Sequence, residues 1–240
     1  DFVGEAEEAA AAADAAIIVV NGKSGVEVGT QKAWDLCEKY KLPRMFFVTN
    51  MDVDNASFRQ VVEDLTELYG KKIAPIHLPI RENEKFVGYV NVVKKLGRRW
   101  VGKGEKTECE IPDYSMEYLE KYREVLLEAV AETSEEFMDR YFAGEEFSAA
   151  EIMADKRTIA GINMKTSEIY QANYDFAKSK SAFVFKTIVD PFIGKYSLIK
   201  VASGVIKNDD VLYNVTQDAE VKLNKLYVME GGKTIEVPEL

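Results

Sequence analysis

Apolar residues in the stretch up to Gly70 alternate between two spacings. Ala15–Val20 (AAIIVV) and Arg44–Val48 (RMFFV) are short continuous apolar runs, the mark of parallel strands buried on both faces. Glu5–Asp14 is rich in Ala and Glu, which favour a helix. Thr30–Tyr40 sets Ala33, Trp34, Cys37 and Tyr40 on one helical face; Phe58–Tyr69 does the same with Val61, Val62, Leu65 and Leu68 before Gly70. Asn21–Gly29, with three glycines, and Pro43 supply the breaks. The predicted order, helix–strand–helix–strand–helix, is that of a doubly wound α/β domain.

The pattern then changes. Ile73–Ile80 carries two prolines, while Phe86–Val93 and Arg98–Val101 are aromatic and β-branched. Together they predict a small antiparallel sheet, inserted or appended. Leu119, Tyr122, Leu126, Leu127 and Val130 form a helical stripe. Ser134 offers a cap for a second helix through Phe137, Met138 and Tyr141, ended by Gly144, and Phe147–Glu151 reads as another capped start. Beyond Ala154, four strands are predicted: Ala182–Val189, Tyr196–Ser203, Val211–Val215 and Val221–Met229. The turns between them contain Pro191-Phe192-Ile193-Gly194, Lys207–Asp210 and Glu230-Gly231-Gly232. Strands at this spacing suggest a small β-barrel, with the domain boundary near Met153–Gly161.

Composition narrows the classes. The chain has 240 residues, of which 47% are apolar, enough for a sizeable core. It has no apolar run of about 18 residues, so no helical membrane span is expected. The acids before Ala9–Ala16 give that stretch the wrong polarity for a signal peptide. Cys37 and Cys109 are far apart and have no CxxC partner; neither a disulfide framework nor a metal cluster is expected, and a reduced cytosolic setting is. The formal net charge is −10, which argues against a nucleic-acid binder overall. The charge is uneven, however: acids gather in the opening helix and in Glu117–Glu151, and Lys94–Lys106 (KKLGRRWVGKGEK) is basic. These are two solvated faces, or faces for a basic protein and for RNA.

Three passages carry a family resemblance. Asp1–Phe58 is similar to the part of elongation factor G that starts inside the second switch and ends at the guanine-reading loop. Pro75–Trp100, followed by Tyr122–Ser148, resembles the extra subdomain of that factor. Ala182–Asn214, with DPFIGK at Asp190–Lys195, resembles the opening of its second domain. The resemblance implies a truncated doubly wound P-loop-GTPase-type domain over 1–154. An α+β subdomain is inserted at about 72–147, and an all-β barrel domain follows over 155–240.

The same resemblance implies a cytoplasmic, monomeric factor of protein biosynthesis that uses GTP and Mg²⁺ in the intact parent and acts on the ribosome in a translocation-type step. Its implied partners are ribosomal RNA and the stalk protein of the large subunit, with no membrane. The mobile second-switch helix would carry Glu5–Glu8. No G-x-x-x-x-G-K-[ST] string occurs in the chain. That string cradles the phosphates and holds Mg²⁺, so this chain alone is expected to be inactive, with no cofactor, catalytic residue or metal ligand of its own. The D-x-x-G turn would lie just before Asp1. Between Met153 and Lys156 the family runs a further strand, loop and helix, on the order of 40 residues; here the two ends nearly touch.

The guanine-reading N-K-x-D loop corresponds to Thr49-Asn50-Met51-Asp52. Asp52 matches the carboxylate that accepts two hydrogen bonds from the guanine edge. Thr49 stands for the family Asn, and Asn50 for the Lys whose stem covers the base. From the residues alone, the same string also reads as a strand-end turn with Asx-type bonds from Asn50 and Asp52. His77, the one histidine, reads as a packed or hydrogen-bonded strand residue. Lys195 and Lys200 read as solvated barrel lysines, or by the resemblance as phosphate contacts to ribosomal RNA. Two other readings stay open: a ribosome-protection or paralogous factor, and a non-enzymatic ribosome-binding module.

Overall fold

The computed structural model describes residues 3–83, 85–102, 104–152, 160–162, 166–190, 194–231 and 233–240. The chain divides into two compact units. One is Ala13–Asp155; the other joins Asp1–Ala12, which holds α1 (Val3–Ala12), to Lys156–Leu240. The expected boundary at 154/155 and the Pro191–Ile193 turn lie outside the described residues.

In the first unit β1 (Ala16–Asn21) and β2 (Arg44–Thr49) pair in parallel, from Ala16 opposite Arg44 to Asn21 opposite Thr49. The connection is α2 (Val28–Lys39), and α3 (Phe58–Tyr69) follows. The N-cap of α3 is Ser57, whose Oγ accepts from Gln60 N–H at 3.2 Å. Alternation along the strands sends Val20, Phe46 and Val48 toward Val61 and Leu65 of α3, which are 1% exposed. Trp34 is stacked between the Tyr69 ring, 3.9 Å away, and the Arg44 guanidinium, 3.8 Å away. The opposite row, Ile17, Val19, Met45 and Phe47, is 46–67% exposed. Helices of this unit therefore cover only one face of the parallel pair.

The inserted region is a four-stranded antiparallel sheet in chain order: β3 (His77–Glu82), β4 (Lys85–Asn91), β5 (Leu96–Gly102) and β6 (Glu105–Cys109). Pro79 is tolerated because β3 is an edge strand. One sheet face, with Leu78, Ile80 and Val90, packs on Leu119, Tyr122 and Leu126 of α4 (Asp113–Ala131). Then comes α5 (Glu135–Phe142), capped by Ser134 Oγ accepting from Phe137 N–H at 3.2 Å. A short α6 (Ala149–Ile152) ends the unit; Phe147 before it joins Val130 and Phe137 in a satellite core.

The second unit is built of antiparallel pairs: β7 (Ala160–Ile162) with β8 (Ile169–Gln171), β9 (Ser181–Asp190) with β10 (Gly194–Ser203), β11 (Val211–Asn214) with β12 (Ala219–Lys222), and β13 (Leu226–Glu230) with β14 (Lys233–Val237). Among the described residues these ladders run two by two and do not form one closed hydrogen-bonded cylinder. The single strand expected over Val221–Met229 is two strands. The reason is local: Leu223 O accepts from Asp209 N–H at 2.9 Å, and Leu223 N–H donates to Asp210 O at 2.8 Å. The Lys207–Asp210 turn thereby captures the middle of the apolar run. A buried hydroxyl group organises the unit. Ser203, 2% exposed, donates to Ser179 O at 2.6 Å and lies 2.7 Å from Ser181 Oγ and 3.0 Å from Tyr170 OH. Helix α1 packs here along β9, where Lys186 pairs with Glu8.

Candidate functional site

Parallel strands deliver their C-terminal ends to one edge of the sheet, where ligands of open α/β folds bind. Here those ends are Asn21 and Thr49. After β1 the chain turns at once: Asn21 Oδ1 accepts from Lys23 N–H at 2.8 Å, and Asn21 O accepts from Gly25 N–H at 2.9 Å. After β2 it reverses through Asn50, whose φ of 54° is left-handed, a conformation Asn adopts at low cost.

Three contacts fix this second turn. Gly22 N–H donates to Thr49 O at 2.8 Å, Thr49 Oγ1 donates to Val20 O at 3.3 Å, and Ser57 N–H donates to Gly22 O at 2.9 Å. Gly22 therefore lies clamped between the end of β2 and the start of α3. A Cβ there would meet Met51 Sδ at 2.8 Å and Thr49 O at 2.9 Å. Met51 is 7% exposed and anchors the loop. Its neighbours Asn50 and Asp52 are exposed instead.

Below Met51 lies a cavity of about 250 Å³, which Phe58, Arg81, Tyr114 and Tyr118 also line. Arg81 Nη1 donates to Ala56 O at 2.9 Å, and the Tyr114 hydroxyl bridges Arg81 N–H and Arg81 O at 3.0 Å each. These contacts tie the loop to the inserted sheet.

The structure sets the three candidate residues at the end of β2, Thr49, and in the turn after it, Asn50 and Asp52. The Asx-type bonds of the turn reading do not form: no hydrogen bond joins the side chain of Asn50 or Asp52 to another described residue. Thr49 serves the strand ends, while the Asp52 carboxylate is held on a fixed turn and left free toward solvent. A free, oriented carboxylate can accept two parallel N–H donors from a planar ligand edge. Nothing in the sequence pattern singled out Gly22 and Met51 as the supports of this turn, since both act through contacts made only on folding.

Other expectations resolve as follows. His77 Nε2 lies 3.1 Å from Asn91 Nδ2 and its ring is edge-on to Tyr89, as a hydrogen-bonded strand residue. Burial, and secondarily Lys106, hold its pKa below the usual value. Cys37 and Cys109 are both free thiols. Among the described residues no three His, Cys, Asp or Glu side chains cluster as metal ligands do. Lys195 lies opposite Val189 and Lys200 opposite Phe183 on β9, with a register shift between Leu198 and Ile199. Lys200 sits over the Tyr174 ring, 6.0 Å from its centre.

On α4 and α5 the acids are divided. Glu120 pairs with Lys95 at 3.3 Å and Glu128 with Lys71 at 2.7 Å. Glu117, Glu124, Glu132, Glu135, Glu136 and Asp139 are exposed. The α4 acids lie opposite its buried row of Ser115, Leu119, Tyr122 and Leu126.

Comparison with known proteins bears on the family. Residues 1–190 match the family model of the elongation factor Tu GTP binding domain, and residues 179–240 match that of elongation factor G domain 2. A solved crystal structure of a protein from Thermus thermophilus is similar to the whole chain at 30% identity, with a TM-score of 0.73. The chain spans 39% of the length of that protein.

Proposed function

The chain belongs to the translational GTPases, joining an elongation factor Tu-type GTP-binding domain to an elongation factor G-type second domain, and on that premise we propose that its parent acts on the ribosome through GTP binding and hydrolysis in a translocation-type step. The proposed division is a partial GTP-binding domain over 1–154, an inserted subdomain at about 72–147, and a second domain over 155–240. In this reading Asp52 recognises guanine. Its carboxylate accepts the ring N–H and the exocyclic amino group, two adjacent donors that an amide oxygen and nitrogen cannot both meet. Asn50 lays its amide beside the base, and Thr49 holds the strand ends that aim the loop. One observation carries the assignment: the Asp52 side chain has no hydrogen-bond partner among the described residues, on a turn clamped by Gly22 and Met51.

GTP and Mg²⁺ would supply the phosphoryl chemistry in the intact parent, whose phosphate contacts are a separate string that this chain does not contain. The parent is proposed to be cytoplasmic and monomeric; among the described residues no helix is long and apolar enough to cross a membrane. The exposed acids of α4 and α5 are the surface offered to the stalk protein. For ribosomal RNA, the second domain offers exposed Lys195 and half-buried Lys200 on β10. The departures at Thr49 and Asn50 from N-K-x-D favour a second reading, a paralogous or ribosome-protection factor with altered nucleotide handling.

The test is Asp52→Asn in the full-length protein. Xanthine presents an acceptor where guanine presents its amino group, so the amide should move preference from GTP toward XTP. A variant with unchanged GTP-to-XTP selectivity rules out Asp52 as the base reader.

A further inference from the structure

The sheet of β3 to β6 has one face on α4; the other carries a continuous aromatic and cationic row. Strand register places it. Pro79 lies opposite Tyr89, Tyr89 opposite Arg98, Trp100 opposite Lys106, and Arg98 opposite Glu108. These positions all alternate away from Leu78, Ile80 and Val90, which face the core. Phe86 joins the outer row because the register shift after Ile80 sets it opposite Arg81. The rings touch in sequence: His77 to Tyr89 at 4.8 Å, Tyr89 to Trp100 at 5.9 Å, and Trp100 to Phe86 at 4.9 Å, all edge-on or tilted. The Lys106 ammonium stands over Tyr89, 5.2 Å from the ring centre. Arg98 is held only loosely by Glu108, at 3.9 Å, and keeps 40% of its side-chain surface exposed.

Charge sets this region apart. Between His77 and Cys109 the chain has eight Lys and Arg against four acids, although its total is −10. Glu108 is the acid of the outer row. An ordinary solvated sheet face has no need of three large aromatic rings between two cations. Ring faces next to cations are the chemistry that unpaired bases and their phosphates require.

We propose that the outer face of β3–β6 is a binding platform for single-stranded RNA. Unpaired bases stack on Tyr89 and Trp100, and Arg98 and Lys106 take the adjoining phosphates. The surface is distinct from the Asp52 loop and from the acidic row of α4. It needs no guanine nucleotide, so it stands or falls independently of the function proposed above.

The experiment uses the 240-residue chain and a fluorescein-labelled ten-nucleotide uridine RNA, read by anisotropy. Saturable binding is expected, weakening as salt rises because phosphate contacts release counterions. A duplex of the same length should bind more weakly, since its bases are not free to stack. In a Trp34→Phe background Trp100 is the one remaining tryptophan, and its emission should be quenched along the same binding curve. Trp100→Leu should lose about ten-fold in affinity. Arg98→Gln with Lys106→Gln, which touches no core residue, should lose affinity to a similar degree and flatten the salt dependence. Circular dichroism checks the fold of each variant. The proposal is overturned by absence of saturable binding, by binding without quenching of Trp100, or by binding that the Arg98/Lys106 double variant leaves intact.

Discussion

Gly22 decides the local geometry more than the residues that would touch a ligand. Its backbone donates to Thr49 and accepts from Ser57, and its missing side chain leaves room for Met51. Gly22→Ala would press a methyl group to 2.8 Å from Met51 Sδ and 2.9 Å from Thr49 O. The sulfur can swing aside; the carbonyl belongs to a paired strand and cannot move without breaking its ladder. The variant should lose about 1–3 kcal/mol of stability, the usual cost of overpacking. A urea melt of wild type and variant measures this, and equal midpoints at equal slopes would refute the clamp. Chemistry at this scale was half legible in the sequence. The string Thr49–Asp52 could be aligned with a base-reading loop from its letters. That Asp52 is free while Thr49 is occupied depends on which donors the fold brings near.

Among the elements, α6 shows how a helix of four residues is held. Ser148 and Glu151 form a reciprocal cap: Ser148 N–H donates to Glu151 Oε2 at 2.8 Å and Ser148 Oγ accepts from Glu151 N–H at 3.2 Å. Arg140 on α5 adds a 2.7 Å bond to the other carboxylate oxygen. The Arg140 bond, then the Ser148 bonds, lower the Glu151 pKa from 4.5 to about 2. A carboxylate with a depressed folded pKa contributes stability that is complete above its unfolded value and is lost as pH falls through the folded one. The contribution of Glu151 should therefore be whole above pH 4.5 and gone near pH 2. Thermal unfolding of wild type and Glu151→Gln should show a gap at pH 6 that closes across this window. A gap that does not change with pH means the charge is not what the cap uses. The Phe147–Glu151 pattern in the sequence predicts this cap. The extra strands β6, β7, β8 and β14 are not predicted; β6, β8 and β14 are short and largely exposed, and such strands lack the alternation that a buried face imposes.

At the scale of the whole chain, the proposed recognition surfaces do not depend on nucleotide chemistry. The 240-residue chain lacks the phosphate-cradling string, and in this class phosphate contacts carry much of the nucleotide affinity. It should show no saturable micromolar binding of a fluorescent GDP analogue with Mg²⁺. It should still bind labelled stalk protein, more weakly at high salt, through Glu124 and Glu132, which unlike Glu128 have no lysine partner among the described residues. Reversing both to Lys should slow association without unfolding the chain, as exposed charges add little stability. Saturable GDP binding refutes the first statement, and salt-independent binding by the reversed variant refutes the second.

By itself the sequence determined the order of the long helices and buried strands, the change from a parallel α/β pattern to antiparallel strands, the caps and the family. Those properties are written in spacing, in turn residues and in long matched strings, each a local feature of the chain. Tertiary structure decided the rest. It placed Gly22 and Met51 beneath the Asp52 loop and divided Val221–Met229 between two strands. It gathered His77, Tyr89, Trp100 and Lys106 into one row. The physical reason is common to all three: each depends on register or close approach between separate segments of the chain, and spacing along one segment carries no information about its partner.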